Sequence, residues 1–153
     1  MKKKNIYIAL VSLVVFIMAN NVKGKNSINL SEYHWKNRLL LLFTPSLDGP
    51  EYIKLKEDIS SQEEEVKDRD LLVFHILENG ETKLENSPLP ESSGDYLREK
   101  FSTTPGAFTV LLIGKDGGVK LRREGGVELA DIFALIDTMP MRQREMREKS
   151  QVR

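Results

Sequence analysis

The side chains best suited to chemistry lie close together in Thr44-Pro-Ser-Leu-Asp-Gly-Pro-Glu51, where Thr44, Ser46, Asp48 and Glu51 surround a Gly-Pro step. Two carboxylates three residues apart can act in three ways. At the start of a helix they cap it, since negative charge there gains roughly 0.3–1 kcal/mol against the macrodipole. With the hydroxyls of Thr44 and Ser46 they form a binding surface. As a pair they could also move protons to and from a substrate. The two histidines, His34 and His75, are less suggestive: His75 sits inside the apolar run LLVFHIL, where a hydrogen-bonded strand residue is expected, and two imidazoles without a third ligand do not make a metal site. Arg122 ends an alternating apolar and basic segment and reads as a charge guarding a sheet edge, though it could also join the binding surface.

Composition removes whole classes of function. The chain of 153 residues contains no cysteine, which excludes disulfides, thiolate metal sites, lipid attachment through an N-terminal cysteine and every thiol-based redox or nucleophilic mechanism. Basic and acidic residues balance at 23 each. Residues 1–24, however, hold four lysines and no acid, so the rest of the chain is acidic, which argues against nucleic acid as a partner. Met1 to Lys4 supply positive charge, and Ile6 to Ala19 form an apolar stretch broken only by Ser12. This has the length of a signal-peptide core and falls short of the roughly 20 apolar residues that span a bilayer. Val22 and Gly24 are small enough for cleavage after Gly24; an uncleaved N-terminal anchor is the alternative. Either way, residues from Lys25 onward are expected outside the cytoplasm, in the periplasm or the extracellular space.

The elements that must position these residues follow from periodicity. Leu39 to Phe43 and Leu71 to Leu77 are continuous apolar runs, as in strands buried on both faces. Between them Tyr52, Leu55, Ile59 and Val66 fall on one helical stripe that opens with Pro50, a residue favoured in the first helical turn. Strand, helix, strand implies a right-handed parallel crossover. Glu78 to Glu91 reads as a long polar connection. A short helix capped by Ser92 or Ser93 then turns Tyr96, Leu97 and Phe101 inward. Phe108 to Ile113 and Val119 to Arg122 flank Lys-Asp-Gly-Gly, a hairpin turn because glycine accepts positive φ. Glu128 to Met139 is a helix with Leu129, Ile132, Phe133 and Ile136 on one face, ended by Pro140. The segment 141–153 is charged and has little to bury; a frayed, solvated helix is expected.

The order β-α-β-α-β-β-α resembles the thioredoxin-like core, a three-layer α/β sandwich around a mixed four-stranded sheet, here with a C-terminal helical tail. Phe43 to Glu51 can be laid without a gap over the thioredoxin active-site segment, with Gly49-Pro50 in register and Asp48 and Glu51 where the two cysteines would stand. The hairpin from Phe108 to Val119 is similar to that of thioredoxins and peroxiredoxins. The proline that precedes the third strand in those proteins has no counterpart at Phe108; Pro105 lies three residues earlier. Three segments, Tyr33 to Phe43, Phe108 to Arg122 and Asp137 to Met146, together resemble the secreted family called domain of unknown function 4174. That family also occurs in vertebrate sushi-repeat and matrix proteins. The resemblance implies a fold and an extracytoplasmic place, with no settled activity.

These readings divide the chain into a leader (1–24), a thioredoxin-like domain (25–140) and a charged tail (141–153). They point to a binding module of the bacterial envelope or extracellular space, without metal or cofactor, recognising a protein or glycan through Thr44, Ser46, Asp48 and Glu51 with Arg122. The alternative is an enzyme that reuses the same cleft without sulfur.

Overall fold

The computed structural model describes residues 27–151; the leader expected over residues 1–24 lies outside them. A single six-stranded sheet runs in the order β4-β3-β2-β1-β5-β6. Its strands are β1 (Arg38–Thr44), β2 (Leu71–Leu77), β3 (Thr82–Leu84), β4 (Ser87–Pro88), β5 (Thr109–Ile113) and β6 (Val119–Glu124). β1 pairs parallel with β2 and antiparallel with β5, and the remaining pairs are antiparallel.

Every residue of β1 is buried, because both faces of the strand are covered. Leu40 and Leu42 face a core shared with α1 (Pro50–Ser61), α2 (Glu63–Asp68) and α4 (Leu129–Asp137). Leu39, Leu41 and Phe43 face the other core, closed by α3 (Ser93–Phe101) and a 3-10 turn at Leu30–Tyr33. Period-two alternation thus serves two cores at once, with each buried side chain contributing roughly 1.5–3 kcal/mol.

Three features depart from the sequence reading. The single helix expected from Pro50 to Val66 is two, broken at Gln62. Ser60 and Ser61 donate their hydroxyls back to the carbonyls of Lys56 and Asp58, which competes with continuation of the helix. Val66 still reaches the core from α2. The connection 78–91 contains the β3–β4 hairpin, so the sheet has six strands and not four. Thr82 in β3 is buried against α3, and the approach depends on Gly94, where an added Cβ would lie 2.6 Å from the Thr82 Oγ1. Pro88 ends β4 at the sheet margin, where a missing N–H is tolerated.

The third departure is the tail. Residues Pro140–Gln151 form α5, and this helix is docked, not frayed. Arg38, at the head of β1, is 1% exposed. Its guanidinium donates to both carboxylate oxygens of Glu145 at 3.1 and 3.2 Å and to the Arg69 carbonyl at 2.8 Å. Lys115 joins Glu145 and Asp70, each at 2.7 Å. Arg142 pairs with Asp68 and Asp137, Arg69 with Asp137 and Glu65, and Lys149 with Asp68. Five cations and five carboxylates therefore close one end of the sheet. Burial opposes ionisation of Glu145, but the hydrogen bonds from Arg38 and Lys115 outweigh it and hold its pKa below the ordinary carboxylate value. Lys149 and Arg142 bring Asp68 down to about 2. A carboxylate with a depressed folded pKa stabilises the fold above its unfolded value and loses that contribution as pH falls through the folded one, so the cluster persists at any ordinary pH.

Replacing Glu145 with Gln leaves the buried Arg38 without a carboxylate partner and Lys115 with Asp70 alone. The expected loss is about 2–3 kcal/mol, below the value for a fully buried pair because Glu145 is partly exposed. Lys149→Ala, on the exposed margin, should stay within about 0.5 kcal/mol. Urea unfolding midpoints of the two variants separate these outcomes.

Candidate functional site

The Thr44–Glu51 loop leaves the carboxyl end of β1, at the opposite end of the sheet from the ion cluster. Thr44 is buried, and its hydroxyl donates to the Ser46 carbonyl at 2.6 Å, closing the turn on itself. Ser46 is half-buried, and its hydrogen bond to Asp48, followed by the backbone N–H of Asp48, holds that carboxyl below the ordinary value. Asp48 is exposed and does not cap α1: the cap position is Gly49, which has no side chain to offer, with Pro50 at the first helical position. Glu51 lies in the first turn of α1, exposed, where its charge complements the helix dipole. The expectation that both carboxylates cap the helix thus gives way for Asp48, because Gly49 takes the extended backbone that starts α1.

The turn after α3 reaches the same end of the sheet through Glu78. The Glu78 N–H donates to the Thr44 carbonyl at 2.9 Å, and its carboxylate accepts from the Gly106 N–H at 2.8 Å. Phe108 meets the Tyr52 ring edge to face at 6.3 Å. Arg122 is not part of this assembly. Its neighbour Leu121 packs with the α1-side core, so Arg122 projects to the other face, where it donates to the carbonyls of Phe101 and Ser102 at 2.5 and 2.9 Å. It satisfies the end of α3, which closes with Ser102 in the left-handed region at φ 46°. The structure therefore brings Thr44, Ser46, Asp48 and Glu51 together and sets Arg122 apart in a structural role.

What the loop offers outward is apolar. Leu47 is 57% exposed and Ile53 38%, and the two line one shallow hollow beside Lys56 and Glu57. Pro45 and Pro50 are exposed in the same stretch. Ile53 was visible in the sequence as an apolar residue off the buried stripe of α1; Leu47 carried no periodic signal at all. Trp35 is 68% exposed and adopts φ 63°, its N–H donating to the Lys115 carbonyl at 2.7 Å. Tyr33 packs edge-on against Phe74, with ring centroids 5.8 Å apart.

Behind α1, the Tyr52 hydroxyl lies 3.0 Å from His75 Nδ1. Burial first, then the charges of Lys56 and Lys83, push the His75 pKa down to about 4. The imidazole is neutral and locked to Tyr52, while His34 lies against Gly117 at the other end of the sheet. Among the described residues no group of three or more His, Asp or Glu side chains could hold a metal ion.

A family profile described as Domain of unknown function (DUF4174) matches residues 29–145. The chain belongs to this family. Its match ends on Glu145, so the family domain includes the first half of α5 and the carboxylate that meets Arg38. Coiled-coil domain-containing protein 80 of the zebrafish Danio rerio is 28% identical over 133 residues, covering 76% of this chain but only 15% of that much longer protein. Among solved structures, thioredoxin peroxidase I of Plasmodium yoelii superposes with a TM-score of 0.55 at 15% identity, over 76% of this chain and 80% of its own. The reduced 2-Cys peroxiredoxin of Plasmodium vivax gives 0.56 at 13% identity, over 76% and 85%. At these identities the likeness establishes the thioredoxin-like fold alone. The DUF4174 domain here keeps that architecture and carries no thiol, so the disulfide chemistry of a thiolate nucleophile has no agent in it.

The His75 environment gives a pH test. The unfolded chain takes up a proton near pH 6.5 and the folded one only near 4, so stability is full above about 6.5 and falls as pH drops toward 4. The parent should lose on the order of 2 kcal/mol between pH 7.5 and 4.5 from this group. His75→Gln, which can still accept from Tyr52, should lack that component when urea midpoints are compared at the two pH values.

Proposed function

We propose that this DUF4174 domain is an exported binding module that contacts a protein of the envelope or extracellular space through the apolar rim beside the β1–α1 loop. One observation carries the reading: the loop turns its hydrogen-bonding groups inward, Thr44 onto Ser46 and Ser46 onto Asp48, while Leu47 and Ile53 stand exposed around a common hollow. Large apolar side chains exposed together favour a macromolecular partner, since burying them on association returns about 25 cal/mol for each Å² removed from water. They favour a protein over a glycan for the same reason. Asp48 and Glu51 on one side and Lys56 on the other supply the charged margin such surfaces carry.

A catalytic use of the cleft has less support. General acid work by a carboxyl requires its pKa to rise toward neutrality in a closed pocket. Asp48 is exposed and held below its ordinary value. The apolar leader supports export, and the absence of cysteine suits a domain that folds without oxidation.

Photo-crosslinking in the producing cell tests both parts. A benzophenone side chain at position 47 or 53 should yield a discrete protein adduct in the envelope or medium fraction, and the same probe at Glu99 on α3 should not. Equal labelling from all three positions, or adducts confined to cytoplasmic proteins, would contradict the proposal.

A further inference from the structure

A second concavity, independent of the β1–α1 rim, lies on the α3 face between the 3-10 turn and α3, with Leu39 and Ile113 among the side chains that line it. It has a volume of about 250 Å³. Its walls are Tyr33, His34, Asn37, Tyr96, Lys100 and Phe101. Small-molecule sites combine an apolar lining with a few convergent polar groups, and this volume suits a single ring with one substituent.

The polar groups here are unspent. The hydroxyls of Tyr33 and Tyr96, the amide of Asn37 and the ammonium of Lys100 make no hydrogen bond or ion pair among the described residues. Lys100 stands over the faces of Tyr96 and Phe101, 5.8 and 6.0 Å from their centroids. Burial, reinforced by Glu32, lifts the Tyr33 phenol above its ordinary value, so it remains a donor throughout the ordinary pH range. No carboxylate is part of the lining, although Glu32 stands close enough to Tyr33 for its charge to act there. On one side the exposed His34 ring lies over Gly117, whose φ of 79° favours glycine at that turn.

We propose that this cavity binds a small ring carboxylate. The ring packs between Tyr96, Phe101 and the aliphatic side chains, and the carboxylate accepts from Lys100 and the neighbouring Tyr33 and Asn37 donors. The shape provides for the ring, and the unbalanced cation with its surplus of donors selects the anion.

Benzoate and its neutral isostere benzamide are the probes, titrated into the purified protein while backbone amide resonances are followed. Benzoate should shift the amides of Leu39, Tyr96, Lys100 and Ile113 saturably, with a dissociation constant on the order of 1 mM, ordinary for so small a fragment. Benzamide should bind roughly tenfold more weakly. Lys100→Gln, at an exposed position without an ion pair, keeps the fold and should remove the preference for benzoate. Equal binding of the two probes, an unchanged preference in Lys100→Gln, or shifts confined to residues outside the cavity would each overturn the proposal. Because Leu47 and Ile53 lie elsewhere, failure here leaves the rim reading untouched.

Discussion

The structure depends on neutralising one buried charge. Arg38 heads the central strand with its guanidinium almost fully withdrawn from water, and an unpaired ion in that position would cost several kcal/mol. Its counter-ion is Glu145, 107 residues along the chain, so the C-terminal helix must return to the sheet before the core is complete. α5 is otherwise poorly equipped to dock: only Arg142 among its residues is buried, and most of its remaining side chains are charged or polar. Ion pairs do what apolar contacts do for α4. The arrangement is not optimised for stability, because the Nε atoms of Arg38 and Arg69 are buried without partners. Such clusters suit specificity of docking better than they suit net stabilisation, and here the docking selects one position for one helix.

That closure determines where function can reside. β1 is buried along its whole length, so contacts with other molecules fall to the ends of the sheet or to its flanks. One end is filled by α5 and its five carboxylate–cation links. The other carries the β1–α1 loop, at the position where thioredoxin-like proteins place their reactive residues. In this DUF4174 domain the position has been given a different character: hydroxyls and carbonyls close the turn internally, the helix starts on Gly49-Pro50, and leucine and isoleucine side chains meet the solvent. A surface of this kind gains from being covered, whereas a site for proton transfer gains from enclosing a titratable group.

Much of the fold is legible in the sequence because its strongest signals are local and periodic. Five consecutive apolar residues from Leu39 mark the central strand, the Leu129 to Ile136 stripe marks α4, and Lys-Asp-Gly-Gly marks the hairpin. β3 and β4 escape because strands of three and two residues have no period to detect, and their place depends on Gly94 allowing α3 to approach Thr82. The docking of α5 escapes for a different reason. A run rich in Arg, Lys and Glu looks the same whether its partners are water or the buried ends of distant strands. At the candidate site, Thr44, Ser46, Asp48 and Glu51 were recognisable by type, but their inward orientation and the exposure of Leu47 follow from the turn's own hydrogen bonds. Alternation places Arg122 on an edge strand, as found, but does not reveal the helix end whose carbonyls its side chain satisfies.

Closure of the sheet end requires α5 to be part of the folded domain, and native-state hydrogen exchange measures this directly. A twelve-residue helix rich in charge has little stability alone, so it would protect its amides hardly at all if it were free. If α5 is docked, the amides of Glu145 and Met146 exchange at least about 100-fold more slowly than unstructured ones, by openings shared with the start of β1. Exchange of those amides at nearly unprotected rates, with β1 still fully protected, would contradict it.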